Sequence, residues 1–105
     1  FIQGMGWCTM EDLVWDDKGR YLSANPSTYK IPGIRDLPEV FGIELVASKS
    51  KEASVFGSKA VGEPPLIYGM AVYFALRDAV RSLQPKAQLS FPATQEAIIT
   101  ALTGK

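Results

Sequence analysis

Histidine is missing from the sequence altogether, and cysteine occurs once, as Cys8. The first absence removes a Ser-His-Asp triad, a histidine pH switch and any metal held by imidazole. The second removes an internal disulfide and a paired-cysteine zinc site. Neither charge is in excess: 11 basic and 11 acidic residues give a formal net charge of +0, without the basic surplus of a nucleic-acid binder. No apolar run approaches the roughly 20 residues of a membrane span, and the start carries no charged-then-apolar export signal. The expected setting is therefore the cytoplasm, with neither a nucleic acid nor a membrane as partner. Any metal chemistry has to be shared with protein from elsewhere.

What is present fits one folded unit. A chain of 105 residues, 47% apolar and 21% charged, has the composition of a globular domain and buries about 65% of its unfolded surface. Phe1, Ile2, Met5 and Cys8 recur on one face, which predicts a helix over residues 1–12 with Glu11 and Asp12 on another side. Gly4 and Gly6 each weaken that helix by about 1 kcal/mol relative to alanine, which makes sense if another element packs closely against it. Gly4-Met5-Gly6 lacks the third glycine and the preceding strand of a phosphate-cradling loop. Cys8, with no nearby cation, reads as a small buried apolar residue.

Leu13-Val14-Trp15 and Arg20-Tyr21-Leu22 flank Asp16-Asp17-Lys18-Gly19 and read as a hairpin whose glycine supplies a left-handed residue. Asp16 and Asp17 are turn residues pointing into water rather than an acid and base pair. Residues 23–38 hold three prolines and read as an ordered connector, with Tyr29 and Ile31 packed inward and Lys30 wet. Val40 to Ala47 alternates and predicts a strand beside the hairpin. Ser48 to Glu52 is a charged surface loop, and Val55-Phe56 returns the chain to the core.

From Pro64 to about Gln84 the pattern predicts one helix. Its first half, from Leu66 to Phe74, is apolar on nearly all sides and is the expected buried end, whereas Arg77, Asp78, Arg81 and Ser82 give the second half a wet face. After Pro85, Thr94 caps a last helix with Glu96 in its first turn and Gly104 beyond its end. The expected fold class is α+β, with about three strands, the hairpin plus one, packed on three helices.

The loop Gly57-Ser58-Lys59-Ala60-Val61-Gly62-Glu63-Pro64-Pro65 delivers one carboxylate to the mouth of the apolar helix. Gly62 permits a sharp turn. Pro64 pushes Glu63 toward an extended conformation, and a proline suits the first helical position, so the helix starts just after Glu63. The free N–H groups and positive dipole end of that helix favour negative charge there. Spacing alone equally describes an ordinary acidic residue at a helix entrance, and on spacing alone that reading is the stronger.

Ser58-Lys59-Ala60-Val61-Gly62-Glu63-Pro64-Pro65-Leu66 resembles the active-site segment of the molybdenum-containing subunit of xanthine dehydrogenases and oxidases. Three further stretches agree in the same order: Phe1-Ile2-Gln3-Gly4-Met5-Gly6, Pro26-Ser27-Thr28-Tyr29-Lys30-Ile31-Pro32, and Pro92-Ala93-Thr94. Residues 37–56 agree only in pattern. The resemblance implies that residues 1–105 form a single C-terminal portion of a larger molybdopterin-binding domain, with Phe1 inside a longer chain. It implies that Glu63 is the catalytic general base in hydroxylation of a purine such as hypoxanthine or xanthine. It also implies a molybdenum-molybdopterin cofactor shared with upstream segments, and iron–sulfur centres and FAD on other domains or subunits. The Ala60-Val61 pair and the double proline look more like xanthine dehydrogenases than aldehyde oxidases. The alternatives are an aldehyde-oxidising relative, a non-catalytic fragment that self-associates into a homo-oligomer when isolated, or a stand-alone purine or pterin binder.

Overall fold

A computed structural model describes residues 1–59 and 62–104 of the chain. Three α-helices organise these residues: α1 (Ile2–Thr9), α2 (Pro64–Leu83) and α3 (Gln95–Thr103). Between α1 and α2 the described residues are irregular apart from short 3₁₀ turns at Ile34–Asp36 and Val55–Gly57.

Each helix boundary has a local cause. α1 stops earlier than the apolar pattern predicts, because the amides of Met10 and Glu11 both turn back to the Gly6 carbonyl at 3.0 Å. α2 begins with prolines in its first turn, where a missing N–H leaves no bond unmade. It closes at Gln84, whose amide reaches the Val80 carbonyl at 2.9 Å, just ahead of Pro85. α3 starts at the expected cap: the Thr94 hydroxyl oxygen accepts from the Ala97 amide at 3.1 Å. It ends on Gly104 at φ 70, a left-handed conformation that glycine adopts without penalty.

The core lies at the C-terminal half of α2. Val80, Leu89 and Ala93 are buried, with Tyr73, Leu76, Ile98 and Leu102 packed around them. The Tyr73 hydroxyl donates to the Leu89 carbonyl at 2.7 Å, which fixes the segment after α2 against that helix. A 2.7 Å bond from the Ala93 amide to the Cys8 carbonyl ties the end of α1 to the segment entering α3.

The expected α+β class is not what forms: among the described residues there are helices and no strand or sheet. The hairpin over residues 13–22 reduces to one bridge between Trp15 and Tyr21, although its turn is as read. Gly19 is at φ 74, and Asp16 accepts from the amides of Lys18 and Arg20 at 3.0 and 2.8 Å. The expected strand over residues 40–47 is irregular, with Val40, Leu45 and Val46 each close to fully exposed. Alternation marks which side chains would share a face, but a strand also needs a neighbouring edge, and an isolated two-stranded ribbon offers little stability in water. Here that edge is a single bridge.

Burial departs from expectation in the same sense. Ile31, Val55 and Phe56 are exposed rather than packed inward, whereas Tyr29 is half-buried. The apolar first half of α2 is the more open half, with Leu66, Ile67 and Tyr68 each more than half exposed. Its partner is α1, which covers Gly69 and leaves the flanking side chains bare. A radius of gyration of 18.0 Å exceeds the roughly 13 Å of a compact domain of this length, so these residues do not close a core of ordinary density.

Candidate functional site around Glu63

Glu63 stands at the threshold of α2, with φ −107 and ψ 61, one residue before the first proline of the helix. The non-helical backbone follows from Pro64, which disfavours the helical region for the residue before it. Its side chain is exposed and forms no capping bond to the helix it precedes. Among the described residues the ion pairs join Arg20 to Asp16 and Arg77 to Asp78, and Glu63 belongs to neither. A carboxylate so placed is exposed to contact from a group brought up to it.

The approach to Glu63 is open. A side chain built at Gly62 would meet nothing within 4 Å. A left-handed turn lies ahead of it at Gly57, with φ 66, next to Phe56 with φ 53. Ser54 and Ser58 brace that turn through a 2.7 Å bond from the Ser54 hydroxyl to the Ser58 carbonyl, and the Lys59 ammonium donates to the Ser48 hydroxyl. Ala60 and Val61, the pair taken to separate xanthine from aldehyde oxidation, lie outside the described residues.

Behind the start of α2 lies a close crossing of α1 and α2 that the sequence pattern gives only in part. Gly4 is buried against the first turn of α2: a Cβ there would overlap the Pro65 carbonyl oxygen and lie 2.7 Å from its carbon. Gly69 is buried opposite, where a Cβ would come 2.7 Å from the Gly4 Cα. The pattern in α1 gave away Gly4 as a packing glycine. The matching signal in α2 was a glycine inside an apolar helix, which costs about 1 kcal/mol unless something needs the space.

A second relationship was missed. The Tyr29 hydroxyl donates to Glu11 Oε2 at 2.6 Å and joins the connector to the residues just past α1. That bond to a carboxylate, with burial and the nearby charge adding to it, pushes the Tyr29 phenol up to about 12. Cys8 is buried, at 2% exposure, as expected, and burial pushes its thiol up as well. A cavity of about 760 Å³ lies beside the connector and the start of α3, with Asp12, Tyr29, Lys30, Thr94 and Glu96 in its lining, and Glu63 is not part of it.

Residues 1–38 match the family model of a molybdopterin cofactor-binding domain. The chain is 41% identical over 107 residues to a xanthine dehydrogenase of Dictyostelium discoideum, a match covering 96% of this chain and 8% of the relative. It is 38% identical over 109 residues to a xanthine dehydrogenase/oxidase of Rattus norvegicus, again covering 96% and 8%. A xanthine dehydrogenase of Oryza sativa subsp. japonica is 37% identical over 111 residues, covering 93% and 8%. This stretch is similar to one short part of xanthine dehydrogenases and oxidases. It spans 8% of the length of these relatives.

The residues present fit a molybdenum-pterin group as one wall beside it. Glu63 is exposed, and among the described residues a Cβ at Gly62 would meet nothing within 4 Å. Among the described residues no group of three His, Cys, Asp or Glu side chains gathers to ligate a metal. The described residues thus offer an exposed carboxylate and no such ligand set of their own.

Proposed function

We propose that this chain supplies the Glu63-bearing wall of a molybdenum hydroxylase active site that oxidises purines of the hypoxanthine and xanthine type. The observation that carries the reading is the position of Glu63: an exposed carboxylate, in no ion pair among the described residues, at the start of a helix, in a sequence similar throughout to xanthine dehydrogenases. In this reading Glu63 Oε accepts a proton as the substrate carbon is hydroxylated, and the molybdenum-pterin group supplies the redox chemistry when bound. Pro64 keeps Glu63 off the helical path, and α2 fixes where the carboxylate stands. Upstream segments of the same protein hold the cofactor, and iron–sulfur and FAD modules carry the electrons away.

The test is Glu63→Gln in the full-length protein, assayed with xanthine. General-base assistance is worth about 10²–10⁴-fold, so turnover falls by at least 100-fold while molybdenum content stays near that of the parent. Turnover within a few-fold of the parent would remove Glu63 from this role.

One observation favours a second reading for the isolated chain. Leu66, Ile67 and Tyr68 are bare on the apolar half of α2, and uncovered surface of that kind promotes association. The 105 residues alone are then an inactive fragment that forms oligomers. Light scattering and a molybdenum assay on the isolated chain separate this state from an active one.

A further inference from the structure

The contact between Gly4 and Gly69 does more than pack two helices. It spans the first two turns of α2, and the atoms that a Gly4 side chain would strike first belong to Pro65, two residues from Glu63. Gly4 itself lies within the segment that matches the cofactor-binding family model. α1 is held from its other side too: a Cβ at Gly6 would come 2.5 Å from the Pro32 ring and from Glu11 Oε1. The connector, through Pro32 and the Tyr29–Glu11 bond, therefore fixes α1, and α1 fixes the Pro65 carbonyl. The first half of α2 has little other support, since its remaining side chains are largely exposed.

We infer that Gly4 and Gly69 are positioning residues that set where Glu63 stands relative to residues 1–38, by letting the two helix backbones touch over the first two turns of α2. The inference rests on the reading of Glu63 as the base. Side chains at either glycine push the helices apart at the end that carries Glu63, and the far end of α2, anchored by Val80 and Leu89, stays in place. A displacement of about 1 Å at a catalytic group costs on the order of 100-fold in rate, so a methyl group suffices.

The experiment compares Gly4→Ala, Gly69→Ala, Glu63→Gln and Gly42→Ala in the full-length protein. Gly42 is the control, because a Cβ there meets nothing within 4 Å. Two readouts are taken: kcat per bound molybdenum and KM with xanthine, and amide hydrogen exchange over residues 66–70 and 78–83 in protein freed of the cofactor. The expected result is a kcat at least 10-fold lower in both glycine variants with KM within about three-fold. Exchange is faster over 66–70 only, and Gly42→Ala behaves as the parent. Gly69→Ala reports the same contact from the other helix, so poor recovery of Gly4→Ala leaves the test intact. Unchanged kcat per molybdenum in the glycine variants, with Glu63→Gln inactive, overturns this inference alone, as does a uniform rise in exchange along all of α2. Retained turnover in Glu63→Gln overturns the base assignment and this inference with it.

Discussion

Tyr29 and Glu11 meet across eighteen positions of sequence through a 2.6 Å hydrogen bond. The bond closes the connector onto the end of α1, and it does so with a donor that must keep its proton. A hydrogen bond to a charged acceptor contributes about 1.5–3 kcal/mol, and the pair is only half-buried, so Tyr29→Phe is expected to lower stability by about 1.5 kcal/mol. The phenol is raised from the ordinary value of 10.0 to about 12, first by that bond. Its contribution is therefore complete below pH 10 and disappears as pH rises through about 12. Unfolding midpoints between pH 9 and 12.5 should fall in the parent, with a shallower fall in Tyr29→Phe.

Thr94 supplies the side-chain cap of α3. Replacing a threonine cap by alanine costs about 1 kcal/mol, and by glycine a few tenths. Thr94→Ala should shift the denaturant midpoint accordingly, with Thr94→Gly in between. Equal midpoints for parent and Thr94→Ala would mean that the 3.1 Å bond contributes nothing in solution.

Cys8 is 2% exposed, and burial pushes its thiol up. The reactive form is the thiolate. Native protein at pH 8 is expected to react with a disulfide reagent at least 100-fold more slowly at this position than urea-unfolded protein. Cys8→Ser at the same site should destabilise, because the hydroxyl enters a buried place that offered the thiol no polar partner.

Helices were legible in the sequence where the signal was local. Pro64, Thr94 and Gly104 act within a turn of their own position, and α2 and α3 begin and end as those residues dictate. The turn at Asp16–Gly19 was legible for the same reason. The strand over residues 40–47 was not, because its alternation stated a face and not a partner, and no edge lies beside it. The burial of α2 was misread from the same limitation: an apolar run from Leu66 to Phe74 says that a surface prefers cover, not that cover is supplied within these residues. At the site, Glu63 was found through its resemblance to a known segment, since an acid before a proline has many ordinary explanations. Gly69 and the Tyr29–Glu11 pair depend on contacts between distant positions, which spacing does not encode.

The bond from the Ala93 amide to the Cys8 carbonyl closes a ring of contacts, since α1 meets α2 at the glycine crossing and α2 meets α3 through the core. Residues 40–52 are a tether outside that ring, lying on it mainly where Phe41 leans on Phe1 with ring centroids 5.9 Å apart. Doubling the length of a flexible tether adds only about 0.6 kcal/mol of closure entropy. Insertions and deletions in this stretch are thus tolerated by the helices on either side, so the segment is free to vary in length while the carboxylate beyond it keeps its address.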